Sequence, residues 1–338
     1  MSLRILYLGF RSGTSGYRSN AMKRLGHEVR IIDPTDFVPS LPGLATWCFW
    51  TGFAGVATII QREVLKQIAD DRYDVAWVDS GEYFSANLIR ALHKNAARVV
   101  NYNHDDPFGR RDWTRFRHYR AAAKEYDLVA VVRTCNIEEA KQAGARKVLY
   151  VVRSADEVAH AARRLTADDV IRWSSEVTFV GTCMEERGAF MRTLVERGVP
   201  LSIYGRRWQR AKEWEVIRKA WRGPNLSGEE EYVRAVQCAK ICLGLLSKEN
   251  RDLITTRSLE IPAIGSLFLA ERTSEHEMLY RDNEEAVFWT DAEDCADKCH
   301  ALLADEKRIR KIAAAGHARA LANGHFNENA ISAILKEL

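Results

Sequence analysis

Short apolar runs alternate with longer amphipathic segments along most of the chain. Three of the runs are RILYLGF, DVAWVDS and ARVVNYN; the helical segment after the first carries an apolar stripe of Ala21, Met22 and Leu25, closed by Gly26. Strands and helices that alternate in this way form a parallel sheet, because right-handed crossovers place the helices on both of its faces. The sequence therefore predicts the α/β class, with doubly wound, Rossmann-like sheets.

A polar stretch with mixed charges, from Ala155 to Trp173, interrupts this alternation, and a second alternating series follows it. The chain has 338 residues, which is enough for two domains of about 150 residues each. We expect an N-terminal domain over 1–172, a C-terminal domain over 173–322, and a final helix over 323–338 that packs back on the N-terminal domain. The two domains are expected to face each other across a cleft, because ligands of parallel sheets collect beyond the carboxyl ends of the strands.

Charge and cysteine content exclude several classes of protein. The net charge of +4 is small for this length and argues against a nucleic-acid-binding protein. The seven cysteines are odd in number and scattered, which indicates reduced thiols in a cytoplasm. Cys238 and Cys242, and Cys295 and Cys299 beside His300, have helical spacing. A zinc site is one interpretation, but cysteines on buried helix faces are favoured because neither pair is C-x-x-C. We therefore expect no bound metal. We also expect no cofactor.

The segment 41–60, LPGLATWCFWTGFAGVATII, has no charged residue over twenty positions, close to the length of about 20 residues that spans a membrane. It also contains Pro42, Gly43, Gly52 and Gly55, which interrupt a helix. A loop and helix packed within the domain are favoured, and a surface that faces a membrane or a lipid acceptor is the alternative. Because the N-terminus opens directly into a strand and lacks the features of a signal peptide, we expect a cytoplasmic protein. Peripheral contact with the inner membrane face through this segment belongs to the alternative.

A second informative segment is RDLITTRSLEIPAIGSLFLAE, in which Asp252 and Glu260 stand eight positions apart with Arg257 between them. On one continuous helix, that spacing corresponds to a rise of about 12 Å. A nucleotide sugar requires such a set: a carboxylate for the ribose, a guanidinium for the diphosphate and an acid near the sugar hydroxyls. Gly265 permits a close turn into the following strand. The alternative is an exposed helix whose Arg257 and Glu260 form an ordinary surface pair.

The sequence here resembles a known family. The stretches RSLEIPAIGSLFLAERTSEHEMLY, EEAVFW and KRIRKIAAAGHARAL are similar to the C-terminal half of the CgeB-like glycosyltransferases, and EYVRAVQCAKICLGLL, VTFVGT and GHFNENA fit the same pattern over about Glu176–Ala330. The resemblance implies the GT-B class, related to the retaining group with a Glu-x7-Glu motif. It implies metal-independent transfer of a sugar, with retention, from a nucleoside-diphosphate sugar to a glycan, lipid-linked or small-molecule acceptor in bacterial polysaccharide biosynthesis.

The resemblance also implies roles for the two acids. Glu260 matches the second acid of the motif, which binds the nucleotide ribose. Asp252 stands where the wider group has Glu, and its shorter side chain puts the contact with the donor sugar in question. This departure supports a second hypothesis, a non-catalytic nucleotide-sugar-binding protein that acts in regulation or assembly.

Further donor-binding residues are expected at the ends of C-terminal strands. Gly181 and Thr182 follow a strand and precede a helix, where backbone N–H groups favour a diphosphate, although any such turn needs small residues. Arg187 and Arg206 are candidates to stabilise the leaving diphosphate. The alternative is that both are ordinary charged side chains in contact with solvent. Tyr232 is expected to line the base pocket.

The N-terminal domain is expected to bind the acceptor. Its first turn, GFRSGTSGYRSN, is neither G-x-G-x-x-G nor a P-loop, so a nicotinamide-dependent oxidoreductase and a P-loop NTPase are both disfavoured. Gly13 and Arg18 in this turn are expected to contact a sugar or diphosphate. Asp79 and Glu82, in VDSGEY, either bind acceptor hydroxyls or cap the following helix.

The motif NYNHDDPFG follows another strand of the N-terminal domain. His104, Asp105 and Asp106 should project from the end of that strand, and adjacent acids beside an imidazole can tune a general base. If the reaction inverts, one of these three is the base to test. The alternative is an Asx turn that caps the next helix, with Pro107 restricting the backbone.

Overall fold

The computed structural model describes residues 2–38, 41–184, 186–226 and 228–338. It divides the chain into two compact units. Unit 1 comprises Met1–Arg153, Glu249–Arg251 and Asn327–Leu338, and unit 2 comprises Ser154–Lys248 and Asp252–Phe326. Each unit holds a six-stranded sheet with flanking helices, and the strand pairs are parallel. The predicted pair of doubly wound, Rossmann-like domains is confirmed.

The sheet of unit 1 has the strand order β2-β1-β3-β4-β5-β6. Its strands are β1 (Arg4–Leu8), β2 (Glu28–Ile32), β3 (Tyr73–Asp79), β4 (Ala96–Asn103), β5 (Leu128–Val131) and β6 (Val148–Tyr150). Its helices are α1 (Gly13–Arg24), α2 (Leu44–Thr51), α3 (Val56–Gln67), α4 (Ala86–Leu92), α5 (Arg117–Ala122) and α6 (Cys135–Gln142), with the final helix of the chain at Asn327–Lys336.

Burial on both faces of the sheet explains the apolar runs of unit 1. All of Ile5, Leu6, Tyr7 and Leu8 are inaccessible to solvent, as is typical of parallel strands covered by helices on two sides. One side of this core contains Ala21 and Met22 of the predicted stripe together with Ile331 and Ile334 of the final helix. The final helix therefore completes the core of unit 1.

The sheet of unit 2 has the strand order β12-β11-β10-β7-β8-β9. Its strands are β7 (Ser175–Val180), β8 (Leu201–Tyr204), β9 (Trp221–Gly223), β10 (Ala239–Gly244), β11 (Leu267–Glu271) and β12 (Val287–Trp289). Its helices are α7 (Ala167–Trp173), α8 (Arg187–Glu196), α9 (Trp214–Ile217), α10 (Gly228–Gln237), α11 (Arg257–Ile264), α12 (Ser274–Leu279), α13 (Ala292–Leu303) and α14 (Glu306–Asn323).

The polar stretch before β7 belongs to unit 2, so the observed division at residues 153 and 154 precedes the predicted boundary at 172. Its backbone explains the difference. The N–H of Arg163 donates to the side chain of Gln237 at 2.8 Å, and the Gln237 amide donates back to the Arg163 carbonyl at 2.9 Å. Because Gln237 is the last residue of α10, this reciprocal pair attaches the stretch to unit 2.

The cysteine pairs do not form the pattern of a zinc site. Cys242 lies in β10 rather than on a helix with Cys238, so the helical spacing expected for that pair is wrong. Cys295 and Cys299 are buried on α13, whereas His300 is exposed and its Nε2 lies 2.9 Å from the carbonyl of Arg197. Within the described ranges, no group of three His, Cys, Asp or Glu side chains is placed to hold a metal ion.

Candidate functional site

Helix α11 contains an internal proline, and a side chain from outside the helix replaces the hydrogen bond that this proline removes. Pro262 has no N–H, so the carbonyl of Ser258 lacks its helical partner. The buried Tyr280 hydroxyl donates to that carbonyl at 2.9 Å instead. The Ser258 hydroxyl also contacts Nε2 of His276 at 2.8 Å, and burial lowers the pKa of His276 to about 4, so this imidazole is neutral. Gly265, with φ of 100°, ends the helix and permits the predicted turn into β11.

The helix begins at Arg257, which corrects the expectation that both acids share one helix. Asp252 lies in the loop before it, so the rise of about 12 Å does not describe the separation of Asp252 and Glu260. Asp252 is buried, and its N–H donates to the carbonyl of Ser247 at 3.2 Å.

Three of the predicted donor-binding residues form one cluster in unit 2. The Glu260 carboxylate is buried, and its Oε2 accepts from the Tyr232 hydroxyl at 2.9 Å and from Nη1 of Arg257. The Arg257 guanidinium lies over the Tyr232 ring, 4.1 Å from its centroid, and its Nε is 3.5 Å from the carbonyl of Val180 at the end of β7. Arg257 and Glu260 are therefore packed at the carboxyl end of the sheet, with Glu260 buried and the Arg257 side chain partly exposed.

Burial would raise the pKa of Glu260, but Arg257, His160 and Tyr232 outweigh it, so the pKa is lowered and the carboxylate is charged. His160 is the member of this cluster that the sequence did not identify. Its Nε2 lies 3.4 Å from Oε1 of Glu260, and it comes from the polar stretch between the two alternating series. The only signal in the sequence that could have indicated this residue is the presence of a histidine in the polar stretch.

The predicted diphosphate-binding turn after β7 is engaged in internal contacts. The Gly181 N–H donates to the backbone carbonyl of Tyr204 at 2.8 Å. A Cβ atom on Gly205 would lie 1.9 Å from the Gly181 carbonyl oxygen, so only glycine fits at position 205. Helix α8 starts at Arg187, five positions beyond Thr182. The backbone of this turn thus holds neighbouring strand ends together.

The two arginines predicted beside this turn differ in their surroundings. The buried Arg187 guanidinium donates to the carbonyls of Thr182, Leu245 and Leu246 at 2.9, 3.2 and 3.0 Å. It therefore ties the ends of β7 and β10 together. Arg206 is exposed, and its Nε donates to the side chain of Asn225 at 3.0 Å.

In unit 1, Arg18 and Asp79 form a buried, two-point ion pair. Arg18 Nε and Nη2 donate to the Asp79 oxygens at 2.8 and 2.7 Å. His104 Nδ1 lies 3.4 Å from Nη2 of the same arginine, and burial lowers the pKa of His104. Gly13, the first residue of α1, is exposed and has φ of 60°. The structure thus brings together Arg18, Asp79 and His104, which come from three separate motifs.

A second polar group in unit 1 is centred on Arg115, which the sequence did not identify. Its Nη2 lies 2.5 Å from the Glu82 carboxylate and 3.5 Å from that of Asp105. Burial raises the pKa of Glu82 to about 7, although Arg115 opposes this. Burial would also raise the pKa of Asp105, but His104 and Arg115 outweigh it and lower the pKa. Two carboxyl groups with different pKa values therefore share one arginine.

Asp106 has a different environment from Asp105. Its carboxylate is buried and accepts from the backbone N–H of Gly109 at 3.1 Å and from the Asn136 amide at 2.9 Å. Arg251 Nε and Nη2 donate to the same carboxylate at 2.6 and 2.7 Å. These contacts favour the alternative of a turn-capping side chain.

Comparison with protein families matches residues 187–336 to a family described as glycosyl transferase-like. The matched part contains α8, α10 and α11, and so includes Arg257, Glu260 and Tyr232. Comparison with curated protein sequences finds no significant match.

Solved structures share the fold over nearly the whole chain. Sucrose-phosphate synthase from Thermosynechococcus elongatus has a TM-score of 0.70 and 12% identity, with 99% of this chain and 97% of that chain covered. Anabaena HepE in complex with UDP-glucose has a TM-score of 0.69 and 12% identity, covering 99% and 100%. An alpha-glucosyltransferase in complex with UDP-glucose and DNA containing an abasic site has a TM-score of 0.69 and 14% identity, covering 99% of both chains.

The fold is therefore that of the GT-B class, with two Rossmann-like domains. Together with the glycosyl transferase-like match over its C-terminal part, this fold supports a GT-B glycosyltransferase.

Proposed function

We propose that this protein transfers a sugar from a nucleoside-diphosphate sugar to a glycan, lipid-linked or small-molecule acceptor, with retention of anomeric configuration and without a bound metal ion. The observation that carries the proposal is the cluster of Arg257, Glu260 and Tyr232 at the carboxyl end of the second sheet, within the part that matches a glycosyl transferase-like family. Two structural neighbours were solved with UDP-glucose, so UDP-glucose is the first donor to test.

The two oxygens of Glu260 suggest how the donor binds. Oε2 already accepts from Tyr232 and Arg257, whereas Oε1 has His160 at 3.4 Å. A ribose hydroxyl donates a hydrogen bond, so a charged carboxylate oriented by these three groups is a suitable acceptor for it. In this proposal the ribose binds at the Oε1 side, while Tyr232 and Arg257 hold the carboxylate in place.

Arg257 then supplies the charge that the leaving group needs. Its side chain is 32% exposed, whereas that of Glu260 is 4% exposed, so Arg257 is the more accessible member of the pair. Negative charge develops on the diphosphate as the bond to the sugar breaks, and a fixed guanidinium stabilises that charge. Cationic side chains can do this without a metal, which is why we propose a metal-independent reaction.

We place the acceptor at the carboxyl end of the first sheet, near Gly13, Arg18, Asp79 and Glu82. His104 lies beside Arg18 there. Asp105 is the more accessible of the two adjacent acids, with a side chain 22% exposed, against 1% for Asp106. A retaining transfer requires no general base from this group. If the reaction inverts, Asp105 is the carboxylate to replace first.

The test begins with thermal unfolding in the presence of UDP-glucose and other nucleoside-diphosphate sugars, because a ligand that binds the native state raises its Tm. We expect at least one to stabilise the protein, and Glu260→Gln to abolish that shift while the protein stays folded. Glu277→Gln is the matched control, because Glu277 lies in the same unit but pairs with Arg272 at an exposed position. If Glu260→Gln binds the donor as tightly as the parent does, the ribose assignment is wrong.

Transfer is then measured with the donor that binds. The product's anomeric configuration, read by NMR, decides between retention and inversion, and activity in EDTA tests the proposed independence from metal. A product of inverted configuration or a loss of activity in EDTA would contradict the corresponding part of the proposal.

The second candidate is a nucleotide-sugar-binding protein without transfer activity. Asp252 favours it, since this acid is shorter than the Glu of the related motif, and it lies outside α11. Tight donor binding with neither transfer nor hydrolysis across many acceptors would support this alternative.

A further inference from the structure

The short helix α2 is apolar on both of its sides. Cys48 is buried against the core of unit 1 (2% exposed), and Leu44 packs partly against the same core. Trp47 and Trp50 lie three positions apart on the other side, and the Trp50 side chain is 70% exposed. An ordinary surface helix presents polar residues to water. Helix α2 therefore has a side suited to an apolar environment outside the protein.

The backbone explains why this segment does not form one long helix. Gly43, Gly52 and Gly55 have φ of 79°, 58° and 77°, so α2 and α3 are separated by turns. With eight residues, α2 is about 12 Å long, whereas a membrane-spanning helix needs about 20 residues. Across the part of the chain that the structure describes, no helix has the length and apolar character to cross a membrane. Because α2 is short, its aromatic side would reach only the outer part of a bilayer.

A segment that carries several arginines contacts the end of α2. Arg117 Nε donates to the carbonyl of Gly52, directly after α2, at 3.0 Å. This contact brings the end of α2 to the segment that also carries the exposed Arg110 and Arg111 and the exposed Trp113. The neighbourhood of the tryptophans is therefore both aromatic and basic.

Helix α3, which follows α2 in the chain, also exposes an apolar and a basic side chain. Ile59 is exposed, and Arg62, three positions later, is exposed as well. Residues three apart lie on the same side of a helix. We call the set Trp47, Trp50, Ile59, Arg62, Arg110 and Trp113 the aromatic–basic surface.

We propose that the aromatic–basic surface docks on an anionic phospholipid bilayer. Tryptophan rings are favoured at the level of the lipid headgroups, because one part of the indole is apolar and its N–H is polar. Arginines beside them are attracted to the negative potential of anionic lipids. A helix that lies in the plane of the interface with this combination is the usual form of monotopic attachment.

A second copy of the chain fits this surface less well. A symmetric dimer would place the same surface of both copies together, and the arginines of one copy would then face those of the other. Like charges in such an interface are unfavourable, whereas an anionic bilayer offers charges of the opposite sign.

The experiment measures partition of the full chain onto vesicles by sedimentation. Vesicles of phosphatidylcholine alone are compared with vesicles in which about a third of the lipid is phosphatidylglycerol. We expect binding to the anionic vesicles, weaker binding to the neutral ones, and a decrease as salt is added. The double variant Trp47→Ser/Trp50→Ser should lower the partition coefficient at least about tenfold. Arg110→Gln should lower it about fivefold on anionic vesicles only.

Ile171→Ser is the matched control, because Ile171 is an apolar side chain of unit 2 that is 81% exposed; it should bind vesicles as the parent does. If the double variant unfolds, Trp50→Ser alone replaces it, and brominated lipid should quench the tryptophan fluorescence of this variant less than that of the parent. The proposal is overturned if the parent binds neither vesicle, binds both equally, or loses binding equally in the control. A dimer that the double variant abolishes, without vesicle binding, would assign the surface to a second copy instead.

Vesicle binding requires no nucleotide sugar, so this result and the donor-binding result can fail separately. If both hold, a lipid-linked acceptor becomes the favoured class, because the aromatic–basic surface would hold unit 1 at the lipid that carries such an acceptor.

Discussion

The Nε2 atom of His160 lies 3.4 Å from Oε1 of Glu260, and both side chains are buried. The backbone N–H of Asp156 donates to Nδ1 of the same ring at 2.8 Å. Nδ1 is therefore an acceptor, so the hydrogen of the neutral ring is on Nε2, the ring nitrogen beside the carboxylate. Burial lowers the pKa of His160, although Glu260 opposes this. The backbone thus selects the tautomer that supports Glu260.

From this relationship we expect His160 to be a positioning residue for the donor. His160→Leu should raise the Kd for the nucleotide sugar about tenfold, because a polar N–H beside a charged carboxylate is lost. His160→Gln retains an N–H donor and should recover part of the affinity. Titration calorimetry measures both, with the exposed His300→Leu as control. Equal affinities for the Leu and Gln variants would show that the N–H is not what matters.

The pKa of Glu82 predicts a pH effect on stability. Its pKa rises from 4.5 to about 7 on folding, chiefly through burial. A group whose pKa is raised in the folded state contributes stability below its unfolded pKa, and this contribution is lost as the pH rises toward 7. Glu82→Gln does not titrate, so its unfolding free energy relative to the parent should increase between pH 4.5 and pH 7, by up to about 3 kcal/mol.

Urea unfolding across this pH range measures that difference. Glu277→Gln, which replaces an exposed carboxylate, should show no comparable trend. A difference between Glu82→Gln and the parent that stays constant with pH would mean that Glu82 keeps an ordinary pKa beside Arg115.

The Arg18–Asp79 pair should be costly to break from one side. Asp79→Asn leaves the Arg18 guanidinium buried without its counter-charge, and such changes cost about 3–5 kcal/mol. Burial would raise the pKa of Asp79, but Arg18 outweighs it and lowers the pKa. The stabilisation is therefore present above the ordinary pKa of 3.8 and is lost as the pH falls through the lower folded value.

Chemical unfolding near neutral pH checks this cost. Arg272→Gln, at an exposed ion pair, should change stability by less than about 1 kcal/mol. The double variant Arg18→Met/Asp79→Asn should lose less unfolding free energy than the sum of the losses in the two single variants. Full additivity would indicate that the two side chains do not interact.

The contact between Tyr280 and Ser258 allows a double-mutant cycle. Tyr280→Phe removes the donor to the Ser258 carbonyl that Pro262 leaves without a helical partner, and it should cost about 1–2 kcal/mol. Pro262→Ala restores the helical N–H, so Tyr280→Phe should cost less in that background. Thermal unfolding of the four proteins measures the coupling. An equal cost in both backgrounds would argue against this compensation.

Local patterns in the sequence determined the architecture. Alternating apolar runs and amphipathic stripes such as Ala21, Met22 and Leu25 predict two doubly wound sheets, since periodicity depends only on neighbouring residues. The acids and arginine of the segment 251–271, together with the resemblance to a glycosyltransferase family, indicated Glu260, Arg257 and Tyr232 as donor-binding candidates. These three side chains are in contact.

Contacts between distant segments were decided only by the tertiary structure. Arg18 and Asp79 are separated by 61 positions in the sequence, and His160 and Glu260 by 100 positions. Local periodicity in the sequence does not indicate contacts over such separations. The start of α11 at Arg257, which leaves Asp252 in a loop, is also a tertiary outcome, since Tyr280 and His276 hold that helix. Periodicity thus specifies which side of an element is buried, whereas the partner of a buried charge depends on how the elements pack.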